Sequence, residues 1–185
     1  MRRPTSSGSV GVDTLPGNAT VTLGDNIDLT YFTTTATNGI RFGTATSAIL
    51  TGTITPQGNN YHFGSGGGSL YVQSNLANKP SFTSMLVADS TSTIPLKLYL
   101  EGTNTYTGGT NVSNGVFAIF DATGAIPSTG SLLAGGNATS TGNSYIGYSD
   151  NVVGMTPGAF FGKFNKASTW GILGFDSADI NSPAN

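Results

Sequence analysis

The sequence predicts an all-β protein built from short strands. Three observations carry that expectation. Apolar residues recur in brief alternating runs, of which Leu96-Lys97-Leu98-Tyr99-Leu100 and Gly115-Val116-Phe117-Ala118-Ile119-Phe120 are the clearest. Gly, Asn or Pro stops each run after a few residues. The good helix formers Ala, Leu, Glu, Lys and Arg never gather at the three-four spacing of an amphipathic face.

Taken in order, the first run is Thr20-Val21-Thr22-Leu23, closed by Gly24-Asp25-Asn26. Ile27-Asp28-Leu29-Thr30-Tyr31-Phe32 follows, then Gly39-Ile40-Arg41-Phe42. Ala48-Ile49-Leu50-Thr51-Gly52-Thr53-Ile54-Thr55 ends at Pro56, which has no N–H to give to a ladder. Tyr61-His62-Phe63 is an aromatic run. Gly64-Ser65-Gly66-Gly67-Gly68 has neither the spacing nor the following helix of a dinucleotide loop, so it reads as a corner. Ser69-Leu70-Tyr71-Val72 and Ser84-Met85-Leu86-Val87-Ala88 come next, before the two clearest runs. Ser144-Tyr145-Ile146-Gly147-Tyr148, Ala159-Phe160-Phe161 and Thr169-Trp170-Gly171-Ile172-Leu173 complete the series.

Composition narrows the function classes. The 185 residues suffice for one domain or for a segment of a longer repetitive chain. Only 9% are charged, against roughly 25% in an ordinary soluble domain. Gly, Thr, Ser and Asn together supply about half the chain. Seven Lys+Arg against nine Asp+Glu leave no basic field for a nucleic-acid backbone. No apolar run approaches the 18 or so residues of a membrane helix. The glycines lack the three-residue period of collagen, and 10% aromatics with little net charge argue against disorder. Zero cysteines remove disulfides, thiolate metal sites and cysteine nucleophiles. Met1-Arg2-Arg3-Pro4 is followed by small polar residues, not by an apolar signal segment. The chain therefore reads as an excised piece of a longer exported protein, or as one whose leader is missing from the sequence.

Short strands with small polar turns suit a sandwich or a solenoid. A sandwich should announce hairpins through Asn-Gly between matched strands. Asn38-Gly39 and Asn114-Gly115 each open a strand after a polar stretch instead. The phrase Leu-x-Gly-Thr-x-Thr occurs twice, at Leu50–Thr55 and Leu100–Thr105, which favours a repeating architecture.

Residues 98–119 are more specific. Leu98-Tyr99-Leu100-Glu101-Gly102-Thr103-Asn104-Thr105-Tyr106-Thr107-Gly108-Gly109-Thr110-Asn111-Val112-Ser113-Asn114-Gly115-Val116-Phe117 closely resembles the autotransporter-associated β-strand repeat. Its centre, Asn104 to Thr110, matches over seven consecutive residues. The surroundings of that repeat are echoed at Thr51–Pro56, Tyr61–Val72 and Gly124–Gly136. The resemblance implies a right-handed parallel β-helix, here with irregular rung lengths, in a bacterial exported passenger or adhesin. It implies no enzymatic activity.

In such a coil Leu98 and Leu100 alternate with Tyr99, sending one face inward. Val112, Val116 and Ala118 continue the inward set, and Phe117 or Phe120 covers an outer face or a loop. Gly108-Gly109 permits positive φ at a corner, and Asn104 and Asn114 suit tight bends.

Candidates for chemistry are few. His62 is the only histidine, sits in an aromatic run, and has no acidic residue within 25 positions; it reads as structural or surface. Glu101, the only glutamate, falls at an exposed position of the repeat. Paired-carboxylate hydrolysis would require an aspartate from another turn. Asp13, Asp25, Asp28, Asp89, Asp121, Asp150, Asp176 and Asp179 are scattered, and Asp25–Asp28 and Asp176–Asp179 lack the density and central glycine of a calcium loop. Thr-x-Thr recurs at Thr20/Thr22, Thr44/Thr46, Thr51/Thr53/Thr55, Thr103/Thr105/Thr107 and Thr139/Thr141, at intervals too irregular for a flat ice-binding array. Tyr71, Tyr99 and Tyr106 are candidate exposed rings for sugars.

The expected organisation is a polar segment at 1–19, extended or packed on a partner, one β-helix over 20–175 and a tail at 176–185. The expected role is structural: a stalk, adhesin or filament subunit at the bacterial surface or outside the cell. No catalytic, cofactor or metal residue is assigned. The expected partners are other copies or adjacent repeats, stacked end to end because no polar capping helix is apparent, with surface glycans as further partners. Nucleic acid and a membrane span are excluded. The competing readings are a β-helical polysaccharide lyase or hydrolase and a glycan- or ice-binding surface.

Overall fold

The computed structural model describes residues 8–15, 20–32, 40–81, 83–89, 95–135 and 144–176. The sequence features at Met1–Pro4, Asn38-Gly39, Thr139/Thr141, Gly136 and Asp179 lie outside them. Among the described residues the chain is all-β with one short helix. The strands are β1 (Ser9–Gly11), β2 (Val21–Leu23), β3 (Ile27–Asp28), β4 (Arg41–Gly43), β5 (Ser47–Leu50), β6 (Ile54–Thr55), β7 (Asn60–Phe63) and β8 (Ser69–Val72). Then come β9 (Met85–Ala88), β10 (Lys97–Leu100), β11 (Thr110–Val112), β12 (Phe117–Phe120), β13 (Leu132–Ala134), β14 (Tyr145–Ser149), helix α1 (Pro157–Gly162) and β15 (Ile172–Asp176).

Every strand pair is parallel. Sheet A runs β1-β4-β7-β9-β11-β13 and sheet B runs β15-β14-β12-β10-β8-β5-β2, with β3-β6 as a small third sheet. From β7 to β14 the chain alternates between the two long sheets and returns each time beside its previous visit. That order rules out a hairpin for residues 98–119 and is consistent with a β-helix or solenoid. The first strand, β1, falls within residues 1–19 and pairs with β4.

The register explains the sequence pattern. In sheet B the column Val21–Ala48–Leu70–Leu98–Ala118–Ile146–Leu173 lies two residues from a second column, Leu23–Leu50–Val72–Leu100–Phe120–Tyr148–Phe175. Leu70, Leu98, Leu100, Ala118 and Phe120 are fully buried. Each large apolar side chain so buried contributes on the order of 1.5–3 kcal/mol. Sheet A answers with Phe42, Phe63, Ala88, Val112 and Ala134 in one register column. The core lies between the sheets as one continuous cluster from Leu29 to Phe164. Phe120 belongs to it, not to an outer face: it is two residues on from Ala118, so the period of two sends both inward.

The doubled phrase now has a physical reason. Leu50 and Leu100 both pair with Val72, so the two copies stack two turns apart at the same corner. A Cβ on Gly52 would overlap the Asp25 carbonyl oxygen, and one on Gly102 the Ser74 carbonyl oxygen. Only glycine lets successive turns approach this closely. The next residue is tied to the turn before: Thr53 N and Oγ1 donate to Asn26 Oδ1 at 3.2 and 2.6 Å, and Thr103 N donates to Asn75 Oδ1 at 2.8 Å.

Three local expectations are corrected. Ile27–Phe32 extends for two residues and then makes a 3-10 turn, Leu29–Tyr31, because the Asp28 carboxylate accepts from Thr30 N at 2.9 Å. Ala48–Thr55 is two strands, broken at Gly52. Ala159–Phe161 is helical: Thr156 caps the helix through Oγ1 from Ala159 N, and Pro157 has the φ of a first turn. This helix seats Phe160 against Tyr148 at 4.7 Å between ring centroids, filling the core in the last turn. No helix among the described residues is long and apolar enough to cross a membrane.

Candidate functional site

The outer face of sheet A holds the one ionic cluster among the described residues. Alternation along β4 and β7 sends Phe42, Tyr61 and Phe63 into the core and leaves Arg41 and His62 on the opposite face. Asp89 follows Ala88, which pairs with Phe63, so its carboxylate reaches back across the two preceding strands of the sheet. Arg41 Nε donates to Asp89 Oδ1 at 2.6 Å and Nη2 donates to Oδ2 at 2.8 Å, a two-pronged fork. His62 Nε2 stands 2.5 Å from the same Oδ1. The three side chains are 4%, 8% and 12% exposed for Arg41, His62 and Asp89. Burial pushes the Asp89 carboxyl up, the hydrogen bonds from His62 and Arg41 pull it down harder, and it settles at about 2.

The carboxylate of the cluster is fully engaged. Asp89 is ionised at neutral pH, and both of its oxygens are occupied by the chain's own donors. A general base needs a lone pair aimed at substrate, and a carboxylate dyad needs a second acid. What the cluster does is pin β4, β7 and β9 together across three adjacent strands. An open cavity of about 170 Å³ lies nearby, among β1, Gly43, Thr44, Ser65 and Gly66, and none of the three ionic side chains lines it. Asp13, on its wall, accepts from Thr44 Oγ1 at 2.9 Å and from Ala45 N at 2.5 Å, which fastens the incoming chain to the turn above.

The remaining acids are dispersed. Glu101 Oε2 accepts from Gln73 Nε2 at 2.9 Å, one turn away. Asp121 Oδ1 accepts from Ser149 Oγ at 2.5 Å and Asn151 Nδ2 at 3.2 Å, and Asp176 Oδ2 accepts from the Tyr145 hydroxyl at 2.5 Å. No group of acids or histidine fit to hold a metal ion occurs among the described residues.

The tyrosines part company. Tyr106, expected to be exposed, is fully buried and shares a 2.6 Å hydrogen bond with Thr110. It enters the core because it lies in the connection feeding β11, where Gly108 and Gly109 let the chain turn sharply. Tyr71 and Tyr99 remain half-buried on the outer face of sheet B, stacked on each other at 4.5 Å and 10°. Their register neighbours are Ile49 and Ile119, and each ring covers one face of the other. Burial raises both phenols, and neighbouring acids add to it. The column that Thr22 begins continues with Ile49, Tyr71 and Tyr99, not with threonine.

Asn104, expected at a tight bend, instead sits buried between turns. Its Oδ1 accepts from Leu76 N at 3.0 Å, and its Nδ2 donates to Ala125 O at 2.8 Å. Asn114 does adopt the left-handed region, at φ 53°. The Arg41–Asp89 pair went unforeseen, since its members are 48 residues apart. The available signal was a lone arginine between Ile40 and Phe42 in a charge-poor chain. Comparison with family models, curated proteins and solved structures finds no match.

Proposed function

We propose that the chain is a right-handed parallel β-helix acting as a non-catalytic structural segment of a bacterial exported surface protein, as a stalk, adhesin or filament subunit. The observation that supports this reading best is the pair of unbroken inward columns in sheet B, running from Val21 and Leu23 to Leu173 and Phe175. A molecule organised this way spreads its stability along its length, each turn sharing backbone hydrogen bonds and apolar contacts with its neighbours. The ion cluster fits the role, because it joins turns and keeps the Asp89 carboxylate engaged by the chain's own donors. The likeness of Asn104–Thr110 to the autotransporter-associated repeat supports the surface context, and the parts of that motif have construction tasks: Asn104 bridges turns and Tyr106 fills the core.

The test is a screen of the full chain against uronate and neutral polysaccharides for new reducing ends or unsaturated products, with a crystal structure to read the hand of the coil. The scaffold reading expects no product. Sugar release that is lost in a point variant would replace it with a polysaccharide-active enzyme.

A further inference from the structure

We infer that the outer face of sheet B is a binding site for a planar aromatic cation, lying across β5, β8, β10 and β12 beside the Tyr71–Tyr99 stack. These four strands are in register, so their outward residues Ile49, Tyr71, Tyr99 and Ile119 form one column across the sheet. All four are half-buried, which leaves an apolar ridge partly open to solvent. The ridge crosses three strand spacings, roughly 14 Å. Each of its strands has a described neighbour on both sides, from β2 to β14, so it belongs to the middle of the sheet and not to an edge. The two tyrosines stack across strands at 4.5 Å with 10° between their planes, and so turn their ring edges outward.

A second column runs beside the ridge, two residues further along each strand, or roughly 7 Å. It consists of Gln73, Glu101 and Asp121, whose N–H groups continue the ladder to Leu50 O at 2.9 Å, Val72 O at 2.9 Å and Leu100 O at 2.8 Å. Glu101 and Asp121 thus sit on neighbouring strands, both on the outer face. Their side-chain hydrogen bonds come from uncharged groups: Gln73 Nε2 for Glu101, and Ser149 Oγ and Asn151 Nδ2 for Asp121. Neither acid forms an ion pair among the described residues. Lys97 precedes Tyr99 by two residues and so stands on the far side of the ridge. The strip between the ridge and the acids therefore has an apolar wall along one side and negative charge along the other.

That combination selects the ligand. A peptide strand needs free backbone groups at a sheet edge, and a face in mid-sheet has none to give. A sugar needs an open ring face, and each tyrosine turns one face to the other and its second towards Ile49 or Ile119. A rigid aromatic ligand laid along the ridge meets the ring edges with its own face, the favoured edge-to-face contact, and gives up little conformational freedom. A positive charge on it then faces Glu101 and Asp121.

The probe is thioflavin T, a planar cationic dye whose fluorescence rises when its rings are held. Titrated with the soluble full chain, it should give a saturable rise that stays with the soluble species in sedimentation. Tyr71→Ser with Tyr99→Ser should abolish the rise. Glu101→Gln with Asp121→Asn should weaken binding about threefold or more. Added salt should weaken binding to the wild type and leave that charge variant nearly unchanged. Thermal unfolding checks that both variants remain folded. No rise with the wild type, a rise confined to sedimenting aggregates, or equal affinity in the charge variant overturns the site. The inference goes beyond the scaffold reading and is separable from it: none of these results bears on the polysaccharide screen, and sugar release would leave the dye titration as it stands.

Discussion

His62 and Asp89, 27 residues apart in the chain, meet at 2.5 Å on the outer face of sheet A, where the same carboxylate is already held by Arg41. The chain's only histidine is thus part of a lock between turns.

Removing one partner of this lock should cost more than removing the ion pair together. Asp89→Asn leaves the Arg41 guanidinium buried without its counter-charge, and we expect a loss of about 3 kcal/mol in urea unfolding. Arg41→Met with Asp89→Leu removes both charges and should lose distinctly less. Equal losses in the two variants would mean that the pair is not coupled.

Acid should weaken the lock in a defined window. The Asp89 carboxyl is lowered in the folded chain from 3.8 to about 2. A depressed acid contributes stability that is complete above the unfolded value and is lost as pH falls through the folded one. The stability difference between wild type and Asp89→Asn should therefore be constant above about pH 5 and shrink from pH 4 towards pH 2. Urea midpoints across that range measure it.

Glycine at the corner is a steric requirement. Gly102→Ala would drive a Cβ into the Ser74 carbonyl oxygen of the turn before. We expect destabilisation of about 1–3 kcal/mol, the usual cost of overpacking. Gly158→Ala is the control. Its Cβ meets nothing within 4 Å and lies in α1, so the change should be neutral or stabilising by up to about 1 kcal/mol.

Asn104 should behave as a buried bridge. Asn104→Ala leaves Leu76 N and Ala125 O without the side-chain partners seen here. The expected loss is about 2–4 kcal/mol from two buried backbone groups, read by thermal or urea unfolding. A loss under about 1 kcal/mol would indicate that the backbone finds other partners.

The period-two alternation of Leu98, Tyr99 and Leu100, together with the breaks at Gly, Asn and Pro, determined an all-β chain and much of its inward set. Local pattern is enough for that, because side-chain direction in a strand depends only on the strand itself. The helix at Pro157–Gly162 was legible in principle through Thr156-Pro157, but three apolar residues carry no period and read equally well as a strand. The depth of Tyr106, the bridging by Asn104 and the meeting of Arg41, His62 and Asp89 were decided by tertiary structure alone. Each depends on which residues of different turns share a register, and the unequal lengths of the connections hide that register from any local reading of the chain.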